Sequence, residues 1–138
     1  MPLQILLIDD NALVRDTFLA LARFSNPSWE IRTACEHDAG LDIAKEFMPQ
    51  VICSYIGAMP KPGLSFARNI RTDKALGNTF LIAITGWGDM KSIAEIDDAG
   101  FDVCLTKPVE YTLVTQHIHA FEKVQKLLGE AGATGFRP

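Results

Sequence analysis

Four residues could act together on a phosphate held by a metal ion: Asp9, Asp10, Thr85 and Lys107. Adjacent carboxylates repel and raise each other's pKa unless a cation sits between them, and a hard divalent ion bound through oxygen, such as magnesium, is the natural one. A lysine and a hydroxyl nearby suit a phosphoryl group, whose oxygens need charge and hydrogen bonds. The competing reading is modest: the two aspartates cap a helix and pair with Lys107.

These residues matter jointly only if the fold brings them together. Leu3 to Ile8 is a continuous apolar run, as in a strand buried on both faces. Asp10 or Asn11 can cap the helix that follows, which carries Leu13, Phe18, Leu21 and Ala22 at helical spacing and stops at Ser25-Asn26-Pro27. Trp29 to Ala34 alternates as a second strand, and a second helix through Ala39 and Phe47 ends before Pro49. Val51 to about Tyr55 is expected as a strand, Gly63–Arg71 as a helix, Thr79–Ile84 as a strand and Met90–Ala99 as a helix closed by Gly100. Val103–Leu105 is a short fifth strand, and Val109–Leu128 a long last helix. This alternation predicts a parallel α/β sheet with helices on both faces and right-handed crossovers. Ligands in such sheets bind beyond the C-terminal strand ends, where the first, fourth and fifth strands deliver Asp9-Asp10, Thr85 and Lys107-Pro108.

Composition narrows the class. At 138 residues, with 48% hydrophobic and 22% charged residues and a net charge of −4, the chain reads as one globular domain, residues 1–129, with a loose tail over 130–138. Its 13 Lys and Arg form no basic stripe, so no nucleic-acid partner is expected. No leader and no apolar run near the ~20 residues that span a bilayer is present, so a cytoplasmic location without membrane contact is expected. Cys35, Cys53 and Cys104 show no metal-type spacing and are expected as buried free thiols. His117 and His119, two apart on a helix, point roughly 200° apart and cannot share a metal there. The loop after the first strand contains no glycine, which argues against a dinucleotide phosphate cradle.

"LLIDDNALVRD", "GLSFARNIR", "AITGWGD" and "DAGFDVCLTKPVE" resemble the receiver domain of two-component response regulators, over residues 3–128. The resemblance implies a flavodoxin-like sheet of order 2-1-3-4-5 between two helical layers. It implies that Asp9 and Asp10 form the magnesium-binding acid pair, that Thr85 is the switch hydroxyl, and that Lys107 pairs with phosphate ahead of Pro108, usually in a cis bond. It also implies partners among histidine kinases, phosphotransfer proteins and downstream effectors. A homodimer through the fourth helix, fifth strand and fifth helix is a further expectation, because the last helix carries more apolar residues than one packing face needs.

The family's phosphate-accepting aspartate is missing. Counting from Pro49 and from Gly63 places its position at Tyr55 without a gap, whereas the likeness of "VICSY" to the family's "VICDY" places it at Ser54 with one residue inserted afterwards. The ungapped Tyr55 is preferred; Ser54 stays open. Neither hydroxyl carries charge near neutral pH or attacks phosphorus without a general base, so the metal site lacks its third ligand. Where the family often keeps an aromatic switch residue the chain has Cys104, and Pro62 replaces a usual polar residue in a loop with two prolines. These departures point to a stand-alone receiver working as a phosphorylation-independent interaction module, not an enzyme, with Trp87 as a reporter beside its site. The alternative is a metal-dependent phosphate-handling enzyme, or a receiver phosphorylated on Ser54 or Tyr55.

Overall fold

The computed structural model describes residues 2–86, 88 and 90–130, without the side chain of Glu130. Trp87 and the expected tail beyond residue 130 lie outside the described residues. Five strands, β1 (Gln4–Ile8), β2 (Glu30–Ala34), β3 (Val51–Ile56), β4 (Phe80–Thr85) and β5 (Val103–Thr106), form one parallel sheet of order β2-β1-β3-β4-β5. The helices are α1 (Ala12–Ser25), α2 (His37–Phe47), α3 (Lys61–Thr72), α4 (Met90–Ala99) and α5 (Tyr111–Glu130). The fold is thus the flavodoxin-like one that the resemblance implies.

Alternation along the strands sorts the core into two layers. Leu6, Ile8, Ile52 and Ile56 meet Ala44 of α2, Leu64 of α3 and Ile96 of α4, while Ile5, Leu7, Val51 and Cys53 meet Phe18 of α1 and Val114 and Ile118 of α5. With both faces covered, the central strands read as unbroken apolar runs.

Local chemistry sets the element ends. Asn11 is the cap of α1, its side-chain oxygen accepting from the amides of Leu13 (2.9 Å) and Val14 (3.3 Å). The helix does not use Asp10 for this. α3 starts at Lys61, two residues before the expected Gly63, because Pro62 in the first turn fixes a helical φ and gives up no needed donor. β3 runs on through Ile56, paired to Thr85 of β4.

Of the residues at helical spacing in α1, Phe18 and Ala22 are buried whereas Leu13 is 73% exposed. The expectation that all three cysteines are buried fails. Cys35 is exposed at the end of β2; Cys53 is buried, Cys104 half-buried, and all three are free. Burial pushes the Cys53 thiol up to about 12, which fits an inert core residue. His119 is a core-edge residue, bonded to Ser25 and packed against the Trp29 ring.

The edge opposite the candidate site is held by a buried clamp. Arg71 donates to the carbonyls of Gly100 (2.9 Å) and Gly77 (3.0 Å) and to Asp102 (2.7 Å), and Asp102 also accepts the Leu81 amide (2.9 Å). Gly100 adopts φ +116°, and a Cβ there would lie 2.6 Å from Arg71 Cγ. Only glycine fits this approach.

Candidate functional site

The sheet register carries the expected residues to one edge. Ile8 of β1 pairs with Ser54 of β3, so the next residues along, Asp9 and Tyr55, emerge side by side; Ile56 pairs with Thr85, and Thr85 with Thr106. The amide of Lys107 then donates to the Thr85 carbonyl at 2.6 Å, immediately before the cis Lys107–Pro108 bond. Asp9, Tyr55, Thr85 and Lys107 therefore share one corner by backbone pairing alone.

Within this corner the two aspartates differ. Asp9 is 1% exposed; its Oδ1 accepts the Asn11 amide at 2.9 Å, and its Oδ2 is buried without a hydrogen-bond partner among the described residues. Desolvation raises the Asp9 pKa, the Asn11 amide and the Lys107 charge oppose that shift, and Asp10 adds to it. Asp10 is exposed. Lys107 is exposed too, and no ion pair joins it to either aspartate among the described residues. The helix-capping and ion-pair reading thus accounts for neither acid, since Asn11 caps α1 and Lys107 acts on Asp9 only through its field.

Ser54 and Tyr55 point to different surroundings. The Ser54 hydroxyl is fully buried on the α2 side of the sheet, donates to the Tyr55 carbonyl at 3.1 Å and lies 2.9 Å from His37 Nε2. Tyr55 is partly exposed, and its phenol pKa is raised by desolvation, then by the charges of Asp10 and Asp9. The phenol lies in the field of the acid pair.

His37 is the residue that sequence reasoning missed. At the first position of α2 it is 7% exposed, its Nε2 lies 3.1 Å from the Tyr55 carbonyl, and its ring stacks on Tyr55 and tilts against Phe66. Burial lowers its pKa, against the opposing pull of the Tyr55 carbonyl and of Asp38, Glu36 and Asp10. A lone histidine in "CEHDAG" has no periodicity or partner spacing to announce it. The only sequence signal is its place at the start of a helix that leaves the C-terminal edge.

Cys104 sits on β5 opposite Ala83 of β4, two residues before Thr106, and beside Met90, Ile93 and Phe101. For a metal, the structure offers Asp9 and Asp10 but no group of three His, Cys, Asp or Glu among the described residues. The Asp9 oxygen that has no partner among the described residues suits a cation, and Asp10 is the neighbouring carboxylate.

No helix among the described residues is long and apolar enough to cross a membrane. No curated protein matches the chain. Among solved structures, a response regulator receiver domain protein from Clostridium thermocellum is 27% identical, with TM-score 0.77 over 91% of this chain and 98% of that one. The signal receiver domain of a DNA-binding response regulator from Colwellia psychrerythraea is 25% identical, with TM-score 0.78 over 88% and 98%. The chemotaxis response regulator CheY4 of Vibrio cholerae, 18% identical with TM-score 0.76 over 87% and 98%, shares the fold. The family model described as response regulator receiver domain matches residues 5–119, so the chain belongs to the response regulator receiver domain family.

Proposed function

We propose that this chain is a receiver in which Tyr55 fills the acceptor position, and that it works through partner binding without aspartyl phosphorylation. Receiver domains are signalling modules of two-component systems; they interact with histidine kinases, phosphotransfer proteins and effectors, and generally bind magnesium at the phosphorylation site. The observation that carries this reading is the placement of Tyr55 next to Asp9 by the β1–β3 register, with its phenol in the field of Asp9 and Asp10. A neutral phenol neither attacks phosphorus unaided nor supplies the third carboxylate, so magnesium binding to Asp9 and Asp10 is weak.

The partner surface in this reading includes α4, β5 and α5. Met90 and Ile93 of α4 are 88% and 38% exposed, and Leu113 of α5 is 41% exposed, more apolar surface than packing requires. A second copy of the chain is one occupant, and a concentration-independent monomer in light scattering counts against it.

Aspartate restored at the acceptor tests the assignment. Tyr55→Asp treated with a small phosphodonor and magnesium gains a hydroxylamine-labile phosphoryl adduct, whereas Ser54→Asp, buried beside His37, gains none. An adduct on Ser54→Asp alone moves the acceptor position to Ser54.

A further inference from the structure

A cavity of about 190 Å³ lies between the β3–α3 loop, α3 and α4, and neither Tyr55 nor the acid pair lines it. Its inner wall is apolar: Ile56, Leu64 and Ile96 are buried at 4%, 7% and 2% exposure. Ala58 and Pro60 form the outer rim, and with Pro60 and Pro62 both fixing φ the rim is set before anything binds. Apolar cavities of roughly 150 Å³ accept a single benzene ring, so this one has room for one compact ring. Thr85 and Ser92 add two hydroxyls, and among the described residues the only charged group lining it is Glu95, exposed at α4. Lys61 and Lys91 are neighbours of lining residues in sequence but do not line the cavity.

The geometry points to a binding site for a small organic amine with a single-ring apolar body, the ring among Ile56, Leu64 and Ile96 and the ammonium toward Glu95. Because Thr85 is a wall of this cavity as well as a member of the acid-pair corner, an occupant touches the residue through which that corner would sense it. The site does not depend on which residue fills the acceptor position.

Phenethylamine is the probe, titrated into the full chain while methyl resonances of Ile56, Leu64 and Ile96 are followed by NMR. Saturable shifts confined to these methyls are expected, together with an affinity about threefold weaker in Glu95→Gln and for the neutral phenethyl alcohol on the unaltered chain, as an exposed ion pair allows. Ala58→Leu, a change on an exposed rim residue, should abolish the shifts by filling the mouth. Shifts that never saturate or spread over the surface, or binding unchanged in both Glu95→Gln and Ala58→Leu, overturn the site. Binding lost in Ala58→Leu but equal for amine and alcohol overturns the amine class.

Discussion

The ring of Tyr55 stacks on that of His37, centroids 4.9 Å apart and planes 20° from parallel, while the same imidazole's Nε2 lies 3.1 Å from the Tyr55 carbonyl. One buried side chain thus holds both ends of Tyr55. With Nε2 protonated, His37 donates to that carbonyl and the Ser54 hydroxyl donates to it as well, which satisfies the whole cluster. A Cβ at Gly63 would lie 2.6 Å from Ile56 Cδ1 and 3.3 Å from His37 Nε2, so the first turn of α3 also needs a small residue to close over it.

His37 predicts a pH dependence of stability. Burial holds its folded pKa below the unfolded value of 6.5, so the unfolded chain binds the extra proton first. The contribution is fully present above pH 6.5 and is lost as pH falls toward the folded pKa. Urea unfolding between pH 7.5 and 5 should show falling stability in the parent protein and a flatter profile in His37→Gln. His37→Ala should cost about 2 kcal/mol at pH 7.5, because it opens a cavity and strips a partner from Ser54.

Asp9 predicts the opposite slope. Its folded pKa is raised, so its contribution is present below the unfolded pKa of 3.8 and is lost as pH rises through the folded value. Ionising Asp9 in the folded state buries a charge whose Oδ2 has no hydrogen-bond partner among the described residues. Asp9→Asn should therefore raise stability at pH 7 by about 1 kcal/mol, with the difference from the parent shrinking in acid. Thermal unfolding of both proteins across pH 3–7 checks this.

Magnesium binding should respond to charge at position 55. Adding a carboxylate beside Asp9 and Asp10 in Tyr55→Asp should tighten magnesium binding about tenfold or more, whereas Tyr55→Phe should leave it within about twofold of the parent. Calorimetric titration of the three proteins measures it.

The Arg71–Asp102 clamp predicts a stability effect remote from the site. The two side chains are 12% and 14% exposed, so Asp102→Ala takes a carboxylate away from a mostly buried guanidinium and should cost about 3 kcal/mol. Gly100→Ala should also destabilise, by about 1–3 kcal/mol, since its φ is positive and its Cβ would strike Arg71. Gly129→Ala, on α5 with nothing near its Cβ among the described residues, should be neutral or slightly stabilising. Denaturant unfolding separates the three.

Residues with a periodic or covalent signature were legible in the sequence. The apolar runs of β1, β3 and β4 and the stops at Asn26, Pro49 and Gly100 appear in the structure within a residue or two of their expected places, because burial on both sheet faces leaves no polar alternation to confuse them. The meeting of Asp9, Thr85 and Lys107 at one edge follows from strand direction alone. Less legible was anything set by side-chain direction. Leu13 has helical spacing yet faces solvent, and Cys35, just past the end of β2, is exposed although a thiol favours burial. The different surroundings of Ser54 and Tyr55 depend on His37, seventeen residues from Ser54 in sequence, and no local pattern links them. Arg71 and Asp102 likewise meet only through the fold.

Mass spectrometry of the intact, unaltered protein after incubation with acetyl phosphate and magnesium shows whether this receiver takes up phosphate, with Tyr55→Asp run alongside as the reactive control. An unchanged mass is expected for the parent protein and an added phosphoryl group on the control. A phosphoryl adduct on the parent protein, mapped to Ser54, Tyr55 or any aspartate of the site, would contradict the phosphorylation-independent reading.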